Sequence, residues 1–124
     1  MKWKWIAAVG LAGLLVTTAF AKRGEPLVVA PIRSGDIEYR APTNQMGSVE
    51  AWDTKRNLLI WRRQIYVVKY DTQLETDVQD VFINAIKLTP KTLKIVNERK
   101  SEYDLDLGTL QVVVVKGSLV ETLK

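Results

Sequence analysis

The pattern of apolar and polar residues changes character twice along the chain. Residues 1–21 combine a basic head with an apolar run, residues 22–47 are broken by prolines and glycines, and from residue 48 short apolar runs alternate with polar turns. β-branched and aromatic residues dominate these runs, whose length of about four to eight residues favours strands. The pattern predicts an all-β domain at residues 48–124, an antiparallel meander with at most one or two helical turns near residues 74–80.

Residues 58–70 form a run rich in β-branched and aromatic residues that contains no glycine or proline. We expect it to form one long central strand onto which the later strands pair. Arg62 and Arg63 are adjacent and must point to opposite faces, which predicts a bulge or a crossing of the sheet edge there. A helical spacing of the apolar residues fits this run as well, so whether Leu58 to Tyr70 is strand throughout stays open.

The clearest alternation lies at residues 102–107. It predicts that Tyr103, Leu105 and Leu107 face the core while Glu102, Asp104 and Asp106 face solvent. The following valine run, residues 111–115, predicts a strand buried on both faces. We expect the polar tail from Lys116 onward to fray.

Residues 22–47 are expected to form a lead-in segment before the β domain. Only residues 27–32 form an apolar run, and Pro31 within it removes a backbone donor, which suits an edge strand. We expect residues 33–47 to be loop. The segment is interpreted as a tether, with a partner-binding arm as the alternative.

The N-terminus has the three parts of a secretory signal peptide. A head with Lys2 and Lys4 precedes an apolar run at residues 6–16, and small residues follow, ending in Ala19, Phe20 and Ala21. We expect cleavage after Ala21, which places the mature chain outside the cytoplasm, in a periplasm or beyond the cell, without a stable membrane span. An uncleaved anchor is the alternative, although the run is shorter than the roughly 20 residues a spanning helix needs.

Composition excludes several chemistries. The chain has no cysteine and no histidine, so it cannot form disulfides, acylated lipoprotein anchors, thiol nucleophiles, Ser-His-Asp triads or the usual zinc sites. Its formal charge of +4 falls to about +2 once Lys2 and Lys4 are removed, with acids and bases interspersed, which is not typical of nucleic-acid binders. We predict no catalytic, cofactor-binding or metal-binding residues, and no cofactor.

The segment from residue 71 to residue 80 is acidic, with Asp71, Glu75, Asp77 and Asp80. Clustered carboxylates suit calcium, but the spacing lacks the alternating pattern of a dedicated calcium loop, so a solvated loop is the favoured interpretation and cation binding stays open. Thr76 followed by Gln79 matches a capping box, which predicts one helical turn in this loop.

Two stretches resemble the repeat of quinoprotein-type (PQQ-like) β-propellers. One comprises V-E-A-W-D at residues 49–53 followed by L-L-I-W at residues 58–61, and the other is the strand-turn-strand pattern of residues 93–112. The first departs from the repeat by lacking a glycine in its turn, and the second by lacking the closing tryptophan. The resemblance implies propeller-blade-like sheets. Because a closed propeller needs four or more blades, it does not imply the quinone pocket.

The resemblance and the exclusions together predict an exported, non-catalytic β-sheet module that binds a protein partner or serves as a scaffold in the cell envelope. Trp52 and Trp61 are candidate anchors for that partner, with core packing as the favoured alternative. The alternatives for function are a subunit of a larger β-assembly, including a homo-oligomer, and a hydrolase that uses carboxylates alone.

Overall fold

The computed structural model describes residues 24–122, and within that range the protein is all-β. The expected signal peptide at residues 1–21 lies outside the described residues. The strands are β1 (Ile32–Ser34), β2 (Ile37–Arg40), β3 (Ser48–Asp53), β4 (Leu58–Gln64), β5 (Val67–Lys69), β6 (Ile83–Leu88), β7 (Thr92–Asn97), β8 (Glu102–Asp106), β9 (Val112–Lys116) and β10 (Val120–Thr122). A single turn of 3-10 helix, Asp77–Gln79, interrupts them, as the sequence predicts.

The strands form two four-stranded antiparallel meanders and one parallel pair. The first sheet has the order β1-β2-β3-β4, the second has the order β6-β7-β8-β9, and β5 pairs in parallel with β10. The prediction of antiparallel meander topology is confirmed, but the single meander expected from residue 49 to residue 115 is divided between the two sheets.

The two sheets have the same arrangement of strands, and the same type of turn follows the third strand in each. Asp53 ends the third strand of the first sheet, and its Oδ1 accepts hydrogen bonds from the backbone N–H groups two and three residues later, at 3.0 and 3.2 Å. Asp106 ends the third strand of the second sheet and does the same at 2.8 and 2.9 Å. Four residues after each aspartate the backbone is left-handed, at Asn57 (φ 58°) and Leu110 (φ 63°).

When the sheets are aligned on these two aspartates, the face that the second sheet buries corresponds to the face that the first sheet turns outward. The sheets therefore stack face to back. Asp53 lies opposite Ile37 and Asp106 lies opposite Thr92, which fixes the equivalence of the neighbouring strands. The buried residues Leu93, Ile95, Tyr103 and Leu105 of the second sheet then correspond to Glu38, Arg40, Glu50 and Trp52 of the first. The first sheet instead buries its other face. β5 follows β4 and β10 follows β9, and because β4 and β9 are equivalent strands of sheets stacked in this way, β5 and β10 run parallel.

One apolar cluster joins the sheets. The first sheet and its flank contribute Tyr39, Ala41, Val49 and Ala51; the second contributes Ile83, Leu93, Ile95, Tyr103 and Leu105; the connections contribute Ile65, Tyr66 and Val81. Tyr66 stacks on Tyr103 with ring centroids 5.5 Å apart and planes 11° apart. The hydroxyl of Tyr66 donates to the carbonyl oxygen of Val81 at 2.5 Å, so the buried phenol is satisfied.

The expectation that residues 33–47 form a loop is wrong, because β1 and β2 lie there. Gly35 has φ of 61° and makes the tight turn between these two strands, which leaves Tyr39 buried on β2. Since β2 pairs with β3, the boundary drawn at residue 47 divides one sheet. The expected edge strand at residues 27–32 begins only at Ile32, after Pro31.

The prediction of one long central strand at residues 58–70 is also wrong. The run divides into β4 and β5, which belong to different sheets, and Ile65 and Tyr66 between them enter the core. β4 is the last strand of its sheet and not a central one. The expected bulge exists but lies at Ile60, which falls between the pairs Trp52–Leu59 and Ala51–Trp61.

The valine run and the tail were both misassigned. β9 is the last strand of the second sheet, and Val113, Val114 and Val115 are 58%, 37% and 54% exposed, where burial on both faces was expected. The tail beyond Lys116 contains β10 and the buried Glu121, where fraying was expected. Composition did not distinguish a valine run at an edge from one in a core.

The alternation at residues 102–107 is confirmed for Tyr103 and Leu105, which are fully buried, while Leu107 is half-buried against the core. We predict that Leu105→Ala lowers the free energy of unfolding by about 2–5 kcal/mol, because it opens a cavity between the sheets. Asp104→Ala should stay within about 1 kcal/mol of wild type, because it removes only a partly exposed ion pair with Lys94. Urea unfolding of both variants measures this, and equal costs would contradict the register.

Candidate interaction surface

The outward face of the first sheet is closed by paired charges. Glu50 is 5% exposed, and its carboxylate accepts from the indole Nε1 of Trp52 at 2.8 Å and from Arg62 at 2.6 Å. Arg40 lies over the Trp52 ring, 4.6 Å from its centroid, and also pairs with Glu38 at 2.6 Å. These charged groups are therefore paired with neighbours of opposite charge. Three of them, Glu38, Arg40 and Glu50, occupy positions that are equivalent to buried apolar residues of the second sheet.

The outward face of the second sheet is closed less completely. Lys94 and Asp104 form an ion pair at 3.1 Å in the middle of the face. Beside this pair lies a groove of about 300 Å³ lined mainly by apolar atoms, including those of Ala85, Val96 and Val115. Charged residues at the centre weaken this face as a site for stacking another apolar sheet, since such stacking would bury the ion pair.

Two of the strands at the sheet edges, β4 and β9, have exposed apolar side chains. On β4, Leu58, Leu59 and Ile60 are 56%, 39% and 50% exposed. On β9 the three valines at positions 113–115 are exposed to a similar degree. The two strands occupy the same place in the repeated sheets, and each has an edge that no other strand pairs within residues 24–122. These edges are the candidate interaction surface.

The two candidate anchors fall in different environments. Trp61 packs against the core, and its ring lies 6.2 Å from that of Tyr39, which agrees with the favoured expectation of core packing. Trp52 lies on the outward face of the first sheet, half-buried beneath Arg40. Neither tryptophan is a fully exposed anchor, and the apolar strands β4 and β9 were missed as surface because their residue types predict burial.

The acidic loop is organised by Gln79 and not by a capping box. Thr76 precedes the 3-10 turn without a side-chain capping bond, while Gln79 is 1% exposed and bonds inward. Its Oε1 accepts from the backbone N–H of Asp71 at 2.6 Å, and its Nε2 donates to the carbonyl oxygens of Asp71, Leu74 and Glu75. The amide therefore holds the loop closed.

Two of the four acidic side chains of this loop, those of Asp71 and Asp80, have structural partners. Asp71 accepts from the backbone N–H of Gln73 at 2.8 Å, and Asp80 accepts from the hydroxyl of Tyr70 at 2.6 Å. Burial and the bond to Asp80 raise the pKa of Tyr70 to about 12. Within residues 24–122, no group of three or more His, Cys, Asp or Glu side chains is placed to hold a metal ion.

A buried polar cluster fastens the C-terminal strand to the second sheet. Glu121 is 6% exposed, and its Oε2 accepts from Asn97 Nδ2 at 2.8 Å and from Ser101 Oγ at 2.5 Å. The hydroxyl of Tyr103 lies 3.3 Å from the same oxygen, and Arg99 donates to the carbonyl oxygen of Thr122. These contacts explain why the tail is ordered into β10 rather than frayed.

The environment of this cluster favours an ionised Glu121. Burial opposes ionisation, but the hydrogen bonds from Asn97, Ser101 and Tyr103 outweigh it and hold the pKa of this carboxyl below its usual value. Burial chiefly raises the pKa of Tyr103 to about 12, so the phenol remains protonated, and able to donate, into the alkaline range as well as at neutral pH. The cluster is sealed in packing, which suits a structural role.

Comparison with models of known protein families gave no match, and comparison with curated protein sequences gave no match either. Within residues 24–122, no helix has the length and hydrophobicity that crossing a bilayer requires.

We predict that Glu121→Gln lowers the free energy of unfolding by about 1–3 kcal/mol at neutral pH, because a charged acceptor of buried donors is lost. The folded-state pKa of Glu121 lies below the unfolded value, so its stabilisation holds above the unfolded pKa and is lost as the pH falls through the folded pKa. The difference between wild type and Glu121→Gln should therefore shrink in urea titrations between pH 7 and pH 3.

Glu102→Gln is the matched control, because it neutralises an exposed carboxyl on β8, between Ser101 and Tyr103 of the cluster in the chain. It should stay within about 0.5 kcal/mol of wild type, as surface changes usually do. A difference between wild type and Glu121→Gln that is the same at both pH values would contradict the ionised cluster.

Proposed function

We propose that this chain is an exported, non-catalytic β-sheet module of the cell envelope that binds a protein partner through its outer strand edges. The observation that supports this most directly is the contrast between faces and edges. Charged pairs cover the centre of each outward face, whereas β4 and β9 expose consecutive apolar residues beside unpaired edges. Exposed apolar edge strands are the usual substrate for pairing with another chain.

The resemblance to quinoprotein-type propeller repeats enters as part of the same proposal. The stretches that carry it lie on β3 and β4 of the first sheet and on β7, β8 and the start of β9 of the second. Four-stranded meanders with equivalent turns are compatible with two blade-like units, and a scaffold role without a central cofactor pocket is what two such units would permit. Export follows from the signal peptide expected at residues 1–21.

Carboxylate catalysis gains no support from the electrostatics of the described residues. A glycoside hydrolase needs one carboxyl with a raised pKa to act as the general acid. The two carboxyl groups with displaced pKa values, Asp106 and Glu121, are both displaced downward, and hydrogen bonds to the ionised form cause this in each case. Both groups serve a turn or a strand attachment.

Site-specific photocrosslinking in the native envelope tests the proposal. A photoreactive residue at Ile60 on β4 or at Val113 on β9 should give an adduct with a protein partner, because both positions lie on exposed edges. The matched controls are Arg40 on β2 and Lys94 on β7, which lie on inner strands and on the outward faces of the two sheets, with side chains 36% and 48% exposed.

Adducts from the edge positions alone would support the proposal. Equal adducts from edge and face positions would contradict it, because exposure alone would then explain the crosslinks. The absence of an adduct from both edge strands would also contradict the proposal.

A further inference from the structure

The two outer edges differ in how well they are protected against self-pairing. β4 carries Arg62 and Arg63, and a bulge at Ile60 interrupts its middle. Pairing β4 with a second copy about Trp61 would bring the two Arg62 residues within roughly 7 Å along the strands. Charges and bulges of this kind are the means by which proteins protect edge strands.

β9 lacks these protections along most of its length. It contains neither proline nor charge before Lys116, and its irregularity lies at Val115, between the pairs Tyr103–Val114 and Glu102–Lys116. Residues 112–114 therefore form a regular stretch. Val113 lies opposite Asp104 and shares the outward face with it, where it is 58% exposed.

We propose that β9 is a dimerisation strand that pairs antiparallel with β9 of a second copy about a two-fold axis through Val113. This inference rests on the proposed edge binding and deepens it by naming the strand and the occupant. In that register Val113 faces Val113 of the other copy, and Val112 faces Val114, so every regular position meets a valine. Cross-strand pairs of β-branched residues are favourable in sheets.

Charge placement supports a second copy as the occupant. The same register separates the two Lys116 residues by about six strand positions, or roughly 20 Å, which is beyond the screening length of about 8 Å at physiological salt. An isologous contact requires a self-complementary surface, and a run of identical valines meets this requirement in either direction. The product joins two second sheets into one antiparallel sheet of eight strands, within the range of natural sheets.

Disulfide trapping tests the register, because the chain has no cysteine of its own. Directly opposed residues in an antiparallel pair have Cα atoms about 4.5–5.5 Å apart, which suits a disulfide. Val113→Cys in the mature purified chain should form a crosslinked dimer on mild oxidation. Val115→Cys, equally exposed on the same strand, and Ile60→Cys, on the edge of the other sheet, should remain largely monomeric.

Sedimentation measures the association without a crosslink. The wild-type chain should dimerise with rising concentration, and Val113→Lys should weaken dimerisation by about tenfold or more, because two ammonium groups then face each other. Val113→Glu should weaken it as well, and mixing the Lys and Glu variants should restore the dimer. Ile60→Lys is the matched control and should dimerise as wild type does.

A wild-type chain that stays monomeric at every soluble concentration would overturn this inference. Equal crosslinking at positions 60, 113 and 115, or an Ile60→Lys variant that loses the dimer, would overturn it too. The photocrosslinking experiment is independent of these outcomes, since an adduct with another envelope protein from β4 would support edge binding even if β9 did not dimerise.

Discussion

The apolar contact between the two sheets is the interaction on which the rest of the structure depends. Each sheet has one apolar face, and both faces are buried in the same cluster around Tyr66 and Tyr103. A four-stranded meander of this size cannot cover its own apolar face, so neither sheet is expected to be stable alone. The chain contains no disulfide, and within residues 24–122 no metal-binding cluster supplements this contact.

Because the sheets stack face to back, equivalent positions lie in the core in one sheet and on the outward face in the other, and their residue types differ accordingly. Where the second sheet has Leu93 and Leu105 facing inward, the first has Glu38 and Trp52 facing outward. In this outward layer Arg40 pairs with Glu38, and Arg62 pairs with Glu50. Repeat architectures end in units with polar outer faces, because an apolar end would recruit further units without limit. The same logic leaves the strand edges as the surface on which a partner can be recognised.

Local sequence signals predicted the strands and turns better than the position of each strand in its sheet. The alternation at Tyr103 and Leu105 depends on neighbouring residues and was predicted correctly. The exposure of β4 and β9 depends on which strand lacks a neighbour, which is a property of the sheet order, so valines and leucines on these strands predicted burial.

Long-range contacts account for the remaining errors. Glu121 is ordered by Asn97 and Ser101, which lie 24 and 20 residues earlier in the chain, and no local pattern in the tail indicates those partners. The hairpin of β1 and β2 was missed because prolines and glycines interrupt residues 22–47, which led to the expectation of a loop at residues 33–47. For the candidate surface, the sequence predicted a β-sheet that binds a protein partner, whereas identifying the exposed strand edges required the order of the strands in the sheets.

Unfolding followed by two probes tests most directly whether the two sheets are one cooperative unit. Beyond residue 21 the tryptophans are Trp52 and Trp61, both in the first sheet, so their fluorescence reports that sheet, whereas far-UV circular dichroism reports both sheets. We predict a single coincident transition in urea, and an Ile95→Ala change in the second sheet should shift both signals to the same lower midpoint. Separate transitions, or a tryptophan signal unaffected by Ile95→Ala, would contradict this prediction.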